Sequence, residues 1–105
     1  VAAFEVGRAE LKPFYRRRIL KQAMDLSETS FTHIVIEGHT DSTGSDETNR
    51  VLSIKRAEAV YNAFLEVGIP ADKLSFVGFG STMPISSNAT PEGREANRRV
   101  DIYVE

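Results

Sequence analysis

The chain has 105 residues, with 13 Lys and Arg against 15 Asp and Glu, for a formal net charge of −2. This length fits one domain, and 41% hydrophobic with 27% charged residues excludes a disordered or fibrous chain. The near-neutral charge argues against a nucleic-acid-binding domain, which needs a net basic face. Cysteine is absent, so disulfides and thiolate metal sites are excluded, and no apolar run is long enough to span a membrane. We therefore expect one globular domain over residues 1–105, cut from a longer protein because the chain has no initiator Met.

The first third of the chain predicts a strand, a helix and a second strand. Residues 2–6 carry apolar side chains at alternate positions, which predicts a short strand. Residues 10–28 place apolar side chains three or four positions apart, which predicts an amphipathic helix with Pro13 in its first turn. Residues 31–37 are mostly apolar and β-branched, a composition typical of a buried central strand.

The middle of the chain predicts a polar loop, a second helix and a third strand. Residues 38–48 are rich in Gly, Ser, Thr and Asp, which predicts a loop or capping segment. Residues 49–67 repeat apolar side chains at helical spacing and end at Gly68. Residues 73–79 form a short apolar run that predicts a third strand.

The last part of the chain predicts a short helix and a final strand. Thr90 followed by Pro91 is typical of an N-cap and the first helical residue. Residues 99–105 alternate strictly, and a strand with one polar face belongs to a sheet that is covered on one side. The order β-α-β-α-β-β predicts an α/β (α+β) fold, a two-layer sandwich with two main helices on one face of a mixed four-stranded sheet.

The polar residues that follow the central strand are the first candidate site. Asp41 lies in the predicted loop, and Asn49, Ser53 and Arg56 lie on one stripe at the edge of the second helix's apolar face. An acid and a base would then face each other across a shallow groove. The alternatives are a structural ion pair between Asp41 and Arg56, or Asp41 as a cap of the helix.

A second basic set lies on the predicted short helix. Arg94, Asn97 and Arg98 would share one face and could bind a carboxylate or a peptide. The alternative is that either arginine pairs with an acidic residue nearby in the sequence.

Catalytic and metal sites find little support in these residues. His39 and Asp41 lie near several serines, but no Gly-x-Ser-x-Gly nucleophile elbow is present. A metal set of His33, His39 and Asp41 lacks a known ligand spacing, and no Gly-rich phosphate loop precedes a helix. We therefore expect no catalytic residue, no metal and no cofactor.

Several short motifs, in this order and spacing, carry a resemblance to a known family. They are Gly38-His39-Thr40-Asp41-Ser42-Thr43-Gly44, Asn49, Leu52-Ser53 with Arg56-Ala57, Gly78-Phe79-Gly80, Pro84, Asn88, Gly93-Arg94 and Asn97-Arg98-Arg99-Val100. Together they resemble the OmpA-like C-terminal, peptidoglycan-associating domain over nearly the whole chain. This family includes the periplasmic domain of outer-membrane protein A, peptidoglycan-associated lipoprotein and the wall-anchoring domain of flagellar stator proteins.

The resemblance implies a non-catalytic domain that binds peptidoglycan through the meso-diaminopimelate of its stem peptide. Asp41 would receive the ammonium of that ligand, and Arg56 would receive its carboxylate through a forked contact. Thr43, Asn49 and Arg98 match family positions that line the same pocket.

Four further residues match or adjoin the edge of that pocket. They are Glu5 and Gly7, where some family members carry Asp and Asn, together with Arg94 and Asn97.

The resemblance also implies a place in the cell. The domain would lie in the periplasm of a Gram-negative envelope and tether the outer membrane, or a membrane complex, to the cell wall. The short spacing between Asp41 and Asn49 resembles the outer-membrane branch more than the inner-membrane stator branch. The membrane would be reached only through an anchor outside this chain, and other envelope proteins are further expected partners. The alternative hypothesis is a periplasmic protein–protein interaction module whose wall binding is lost or secondary, and a peptidoglycan hydrolase is a third.

Overall fold

The computed structural model describes residues 3–105, which contain three helices and a three-stranded sheet. In chain order the elements are α1 (Pro13–Ser27), β1 (Ile34–Gly38), α2 (Asp46–Glu66), a 3-10 turn (Ala71–Lys73), β2 (Leu74–Gly78), α3 (Pro91–Asn97) and β3 (Val100–Val104). The sheet order is β2-β1-β3, with β1 parallel to β2 and antiparallel to β3. This mixed sheet with helices on one face confirms the predicted α/β sandwich. Over these residues no helix is both long and apolar enough to cross a membrane.

The predicted first strand is wrong, and the sheet therefore has three strands rather than four. Residue 2 lies outside the described residues, and residues 3–6 form bends and the start of a turn. Phe4 is fully buried whereas Val6 is exposed, so the alternation in the sequence does not mark one face of a strand. The carbonyl oxygens of Phe4 and Glu5 accept hydrogen bonds from arginine side chains.

The helix boundaries differ from the predicted ones because of local capping. α1 begins at Pro13 rather than residue 10, since the residue before a proline is held in extended backbone, here Lys12 with ψ 143°. α2 begins at Asp46 rather than residue 49, because the Ser45 hydroxyl accepts a hydrogen bond from the Thr48 backbone N–H. The predicted loop is correspondingly shorter. The predicted N-cap at Thr90 is confirmed, because the Thr90 hydroxyl accepts a hydrogen bond from the Gly93 backbone N–H.

The core lies between the sheet and the two long helices. Its buried members come from α1, α2, the strands and the connection after α2: Ala23, Ile34, Ile36, Ala57, Val60, Phe64, Ile69 and Leu74. Gly38 allows α2 to approach the end of β1, because a Cβ at this position would overlap the backbone carbonyl of Ser53. This close packing sets the first half of α2 beside the loop that follows β1.

Candidate functional site

Buried polar side chains converge where the loop after β1 meets α2. Asp41 is 4% exposed, Asn49 3% and Arg56 1%. We expected Asn49, Ser53 and Arg56 at the edge of the apolar face, but all three are buried. Arg56 lies under residues 4–8, here called the N-terminal segment, and the Ser53 hydroxyl accepts a hydrogen bond of 2.8 Å from the Gly80 N–H.

Arg56 binds three backbone carbonyls with three different nitrogens. Its Nε donates to Arg8 O at 2.9 Å, its Nη1 to His39 O at 3.0 Å and its Nη2 to Glu5 O at 3.1 Å. The guanidinium carbon also lies 5.0 Å from the centre of the Phe4 ring, a cation–π distance. A guanidinium has five N–H donors, so two are not used by these carbonyls.

Asp41 is paired directly with Arg98 rather than with Arg56. Its Oδ2 accepts a hydrogen bond of 3.0 Å from Arg98 Nη1, and its Oδ1 accepts one of 2.9 Å from the Thr43 backbone N–H. Burial alone would raise the pKa of Asp41, but hydrogen bonds from the Thr43 backbone, from Arg98 and from the Thr43 side chain, with the charge of Arg98, outweigh it and hold the pKa below its usual value. The carboxylate is therefore ionised at neutral pH. Asp41 does not cap α2, because Ser45 has that role.

The cluster has more positive than negative charge. Burial lowers the pKa of Arg56 to about 10, the Asp41 carboxylate opposes this shift, and Arg98 adds to it. Arg56 is still protonated at neutral pH, so two guanidinium groups adjoin one carboxylate. The Asn49 Nδ2 is buried and has no hydrogen-bond partner among residues 3–105. This arrangement favours an anionic group near the arginines and leaves Asp41 as the acceptor for a cation.

Three of the predicted pocket residues lie at the rim of this cluster. The Thr43 side chain is exposed, and its backbone N–H orients Asp41. The Glu5 side chain is exposed and lies 3.3 Å from the Lys12 ammonium, while its carbonyl binds Arg56. Gly7 forms a turn with φ 71°, a conformation that favours glycine, and a Cβ there would meet open space.

Arg94 and Asn97 hold the loop of residues 85–88 instead of joining Arg98 on one face. The fully buried Asn97 side chain accepts hydrogen bonds from the backbone N–H groups of Ile85 and Ser86, and it donates to the Ser86 carbonyl and the Asn88 side chain. Arg94 donates to the Asn88 carbonyl at 3.0 Å.

Arg98 lies just beyond α3 as its C-cap and reaches Asp41, which is far from it in sequence. The alternative, that Arg94 or Arg98 pairs with an acidic residue nearby in the sequence, does not describe these contacts of Arg98 and Arg94. It is Arg99 that binds a nearby acid, Asp101, at 3.2 Å. The Asn88 side chain accepts a hydrogen bond of 3.2 Å from the Ser42 N–H, so loop 85–88 contacts the loop that carries Asp41.

The two histidines do not meet Asp41 in a common set. His33 Nε2 lies 2.9 Å from the Ser75 hydroxyl, while the buried His39 ring stacks on Phe79 with centroids 5.7 Å apart. Burial and the nearby Arg99 lower the pKa of His39, and Asp101 partly opposes this.

Sequence reasoning placed Glu5 and Gly7 at the edge of the pocket but missed the backbone carbonyls and the buried ring that the N-terminal segment contributes. The carbonyls of Phe4 and Arg8 bind Arg98 and Arg56, and the Phe4 ring packs against Arg56. Backbone carbonyls have no residue signature, so only the burial of an aromatic residue next to two arginines could have indicated this contact.

Comparisons with known proteins agree with this fold. The chain is 41% identical to the peptidoglycan-binding protein ArfA of Mycobacterium tuberculosis over 102 aligned residues. The aligned stretch covers 97% of this chain and 31% of that protein. The chain thus spans less than a third of that relative. It is also similar to the crystal structure of the peptidoglycan-associated lipoprotein from Burkholderia pseudomallei, with a TM-score of 0.90, 28% identity and coverage of 99% of this chain and 88% of that one. The C-terminal domain of Helicobacter pylori MotB gives a TM-score of 0.88 at 28% identity, covering 98% of this chain and 81% of that one.

A family model agrees with these likenesses over most of the chain. The model of the OmpA family matches residues 3–98, which include the whole of the cluster around Asp41 and Arg56. The chain belongs to the OmpA family.

Proposed function

We propose that this chain binds peptidoglycan without catalysis, through the diaminopimelate of the stem peptide. The observation that carries the proposal is the buried Asp41 carboxylate with the Arg56 and Arg98 guanidinium groups beside it. Relatives that are named as peptidoglycan-binding or peptidoglycan-associated support peptidoglycan as the ligand, and the charges of the cluster are the ground for proposing diaminopimelate within it.

The charges of the ligand complement those of the cluster. The free end of meso-diaminopimelate carries one ammonium and one carboxylate. The ammonium would bind the Asp41 carboxylate, and the carboxylate would bind the N–H groups of Arg56 that the backbone carbonyls leave unused. Asn49 Nδ2, which has no partner in the described part of the chain, is a further donor for the ligand. Thr43 lies at the rim, where the rest of the stem peptide would pass.

The expected affinity for one site is modest. Each charge-assisted hydrogen bond contributes about 1.5–3 kcal/mol, so two or three give about 3–9 kcal/mol, which corresponds to dissociation constants from millimolar to roughly micromolar. Such affinity suits a tether, because many copies that bind one wall add avidity. We place the domain in the periplasm, where it would link an outer membrane or a membrane complex to the wall through an anchor outside this chain.

Co-sedimentation with isolated sacculi tests wall binding. The parent chain should pellet with the sacculi, and Asp41→Asn should pellet at least about tenfold less, because the amide cannot pair with an ammonium. Asp46→Asn is the matched control, since Asp46 is an exposed acid in the first turn of α2 and should bind like the parent. Thermal melting of each variant separates lost binding from lost folding. A folded Asp41→Asn variant that pellets like the parent would contradict the proposed pocket.

Soluble peptides test the choice of diaminopimelate separately. A stem peptide with lysine in place of diaminopimelate differs only in lacking the side-chain carboxylate, so it should bind at least about tenfold more weakly in a titration followed by NMR. If the two peptides bind equally, the role of Arg56 is wrong, even where sacculi are still bound. If neither peptide perturbs the spectrum but an envelope protein does, the interaction-module hypothesis is favoured instead.

A further inference from the structure

A second polar cluster lies on the side of the sheet that faces away from α2. Ile34, Ile36 and Gly38 of β1 point toward the core, so Glu37 and His39 project from the opposite face. Glu37 is paired in register with Asp101 of β3, which projects from the same face. The sheet therefore brings one imidazole and two carboxylates together.

His39 is the unusual member of this cluster. It is 1% exposed, and neither ring nitrogen has a hydrogen-bond partner within the described residues. Its Nε2 is directed at the two acids, 3.4 Å from Asp101 Oδ2 and 3.9 Å from Glu37 Oε1. A buried polar group without a partner is costly, so an unpaired buried imidazole directed at two carboxylates points to a missing ligand.

We propose that Glu37, His39 and Asp101 form a binding site for a divalent transition-metal ion of the zinc type. One atom from each residue lies within 4.8 Å of the other two. Ligand atoms around a tetrahedral zinc ion are separated by about 3.3–3.5 Å, given bonds of about 2.0–2.2 Å. The 3.4 Å separation between His39 and Asp101 already fits this geometry. The Glu37 carboxylate lies 3.9 Å from His39 and within 4.8 Å of the Asp101 ligand atom, so it would have to move toward both residues when the ion binds. Both carboxylates are partly exposed, which leaves water as the fourth ligand.

The charges around the cluster are compatible with a divalent cation. Two carboxylates neutralise it, and imidazole nitrogen and carboxylate oxygen are both ligand types that zinc accepts. Arg99 donates from Nε to both Asp101 oxygens at 3.2 Å and from Nη2 to the Met83 carbonyl at 3.0 Å. Each carboxylate oxygen has two lone pairs, so Asp101 can accept from Arg99 and still bind a metal. Arg99 would then hold the Asp101 carboxylate in position through these hydrogen bonds without binding the ion itself.

This site is separate from the proposed peptidoglycan site, although the two share one residue. The His39 carbonyl accepts a hydrogen bond from Arg56, whereas its imidazole lies between Asp101 and Phe79. Metal binding can therefore be measured without peptidoglycan, and its failure would leave the proposed function untouched.

A titration of the metal-free chain with zinc, followed by NMR of the histidine side chains near neutral pH, tests the proposal. We expect saturation at one zinc per chain with a large shift of the His39 ring signals, while those of His33 stay unchanged. Glu37→Gln keeps the size of the side chain and should weaken binding at least about tenfold, since one ligand is lost. Glu47→Gln, on the exposed start of α2, is the matched control and should bind like the parent. His39 signals that do not move at millimolar zinc, a His33 shift equal to that of His39, or unchanged binding by Glu37→Gln would each overturn the proposal.

Discussion

Replacement of Arg56 by lysine tests whether this side chain holds the N-terminal segment on the fold. The substitution keeps the positive charge near Asp41 but replaces a planar fork by one nitrogen. In the parent, three nitrogens reach the carbonyls of Glu5, Arg8 and His39, which belong to two separate parts of the chain. The single ammonium of lysine cannot donate hydrogen bonds to all three carbonyls at once. About two of these carbonyls would therefore lose their donor.

The expected cost follows from these contacts. A buried carbonyl without a donor costs about 1–3 kcal/mol, and the two carbonyls of the N-terminal segment are only partly buried, so the low end applies to them. Together with a weaker contact to the Phe4 ring, Arg56→Lys should lower the free energy of unfolding by about 2–3 kcal/mol. For a domain of this size that corresponds to a fall in Tm of about 10 °C or more.

Urea and thermal unfolding followed by circular dichroism measure this change. Arg50→Lys is the matched control on the same helix, because the Arg50 side chain is exposed and, among residues 3–105, makes only a 3.5 Å ion pair with Glu47. That control should change stability by less than about 0.5 kcal/mol. If Arg56→Lys is as stable as Arg50→Lys, the three carbonyl contacts do not hold the segment and the reasoning is refuted.

Three further substitutions test how the site is supported. Asn97→Ala removes all four hydrogen bonds of a fully buried side chain and should cost about 3 kcal/mol in urea unfolding; a cost below about 1 kcal/mol would mean that loop 85–88 does not depend on it. Gly38→Ala places a Cβ on the Ser53 carbonyl and should abolish or strongly weaken the cooperative thermal transition, whereas a parent-like Tm would contradict the close packing of α2. Ser45→Ala removes the N-cap of α2 and should lower stability by about 1 kcal/mol in the same melt, with Ser45→Asp, another good cap, restoring it if the capping explanation is correct.

The order of helices and strands after residue 10 was predictable because local signals agreed with the tertiary structure. Pro13 marks the first turn of α1, Gly38 ends β1, and Thr90 caps α3. The strand predicted at residues 2–6 failed for a tertiary reason, since the carbonyls of Phe4 and Glu5 bind arginines that are distant in sequence. Alternation of apolar residues over so few positions did not reveal this.

The site was predicted in part. Asp41 and Arg56 were expected to lie near each other because one follows a central strand and the other lies on the next helix, and the structure places both in one buried cluster. The direct partner of Asp41 is Arg98, which is 57 positions away. Only the resemblance to the family placed Arg98 in the pocket, because helical spacing describes neighbours on one element and not contacts between elements.

The contacts of the N-terminal segment also determine how the domain would respond to mechanical force. Arg56 and Arg98, the two cations of the proposed site, also hold the carbonyls of Glu5, Arg8 and Phe4. If a force were applied between residue 4 and a wall peptide bound at the proposed site, these two side chains would transmit it. The load would cross these hydrogen bonds and the packing of the buried Phe4 ring against Arg56. Tension on the segment would therefore act on the same two side chains that would hold the ligand.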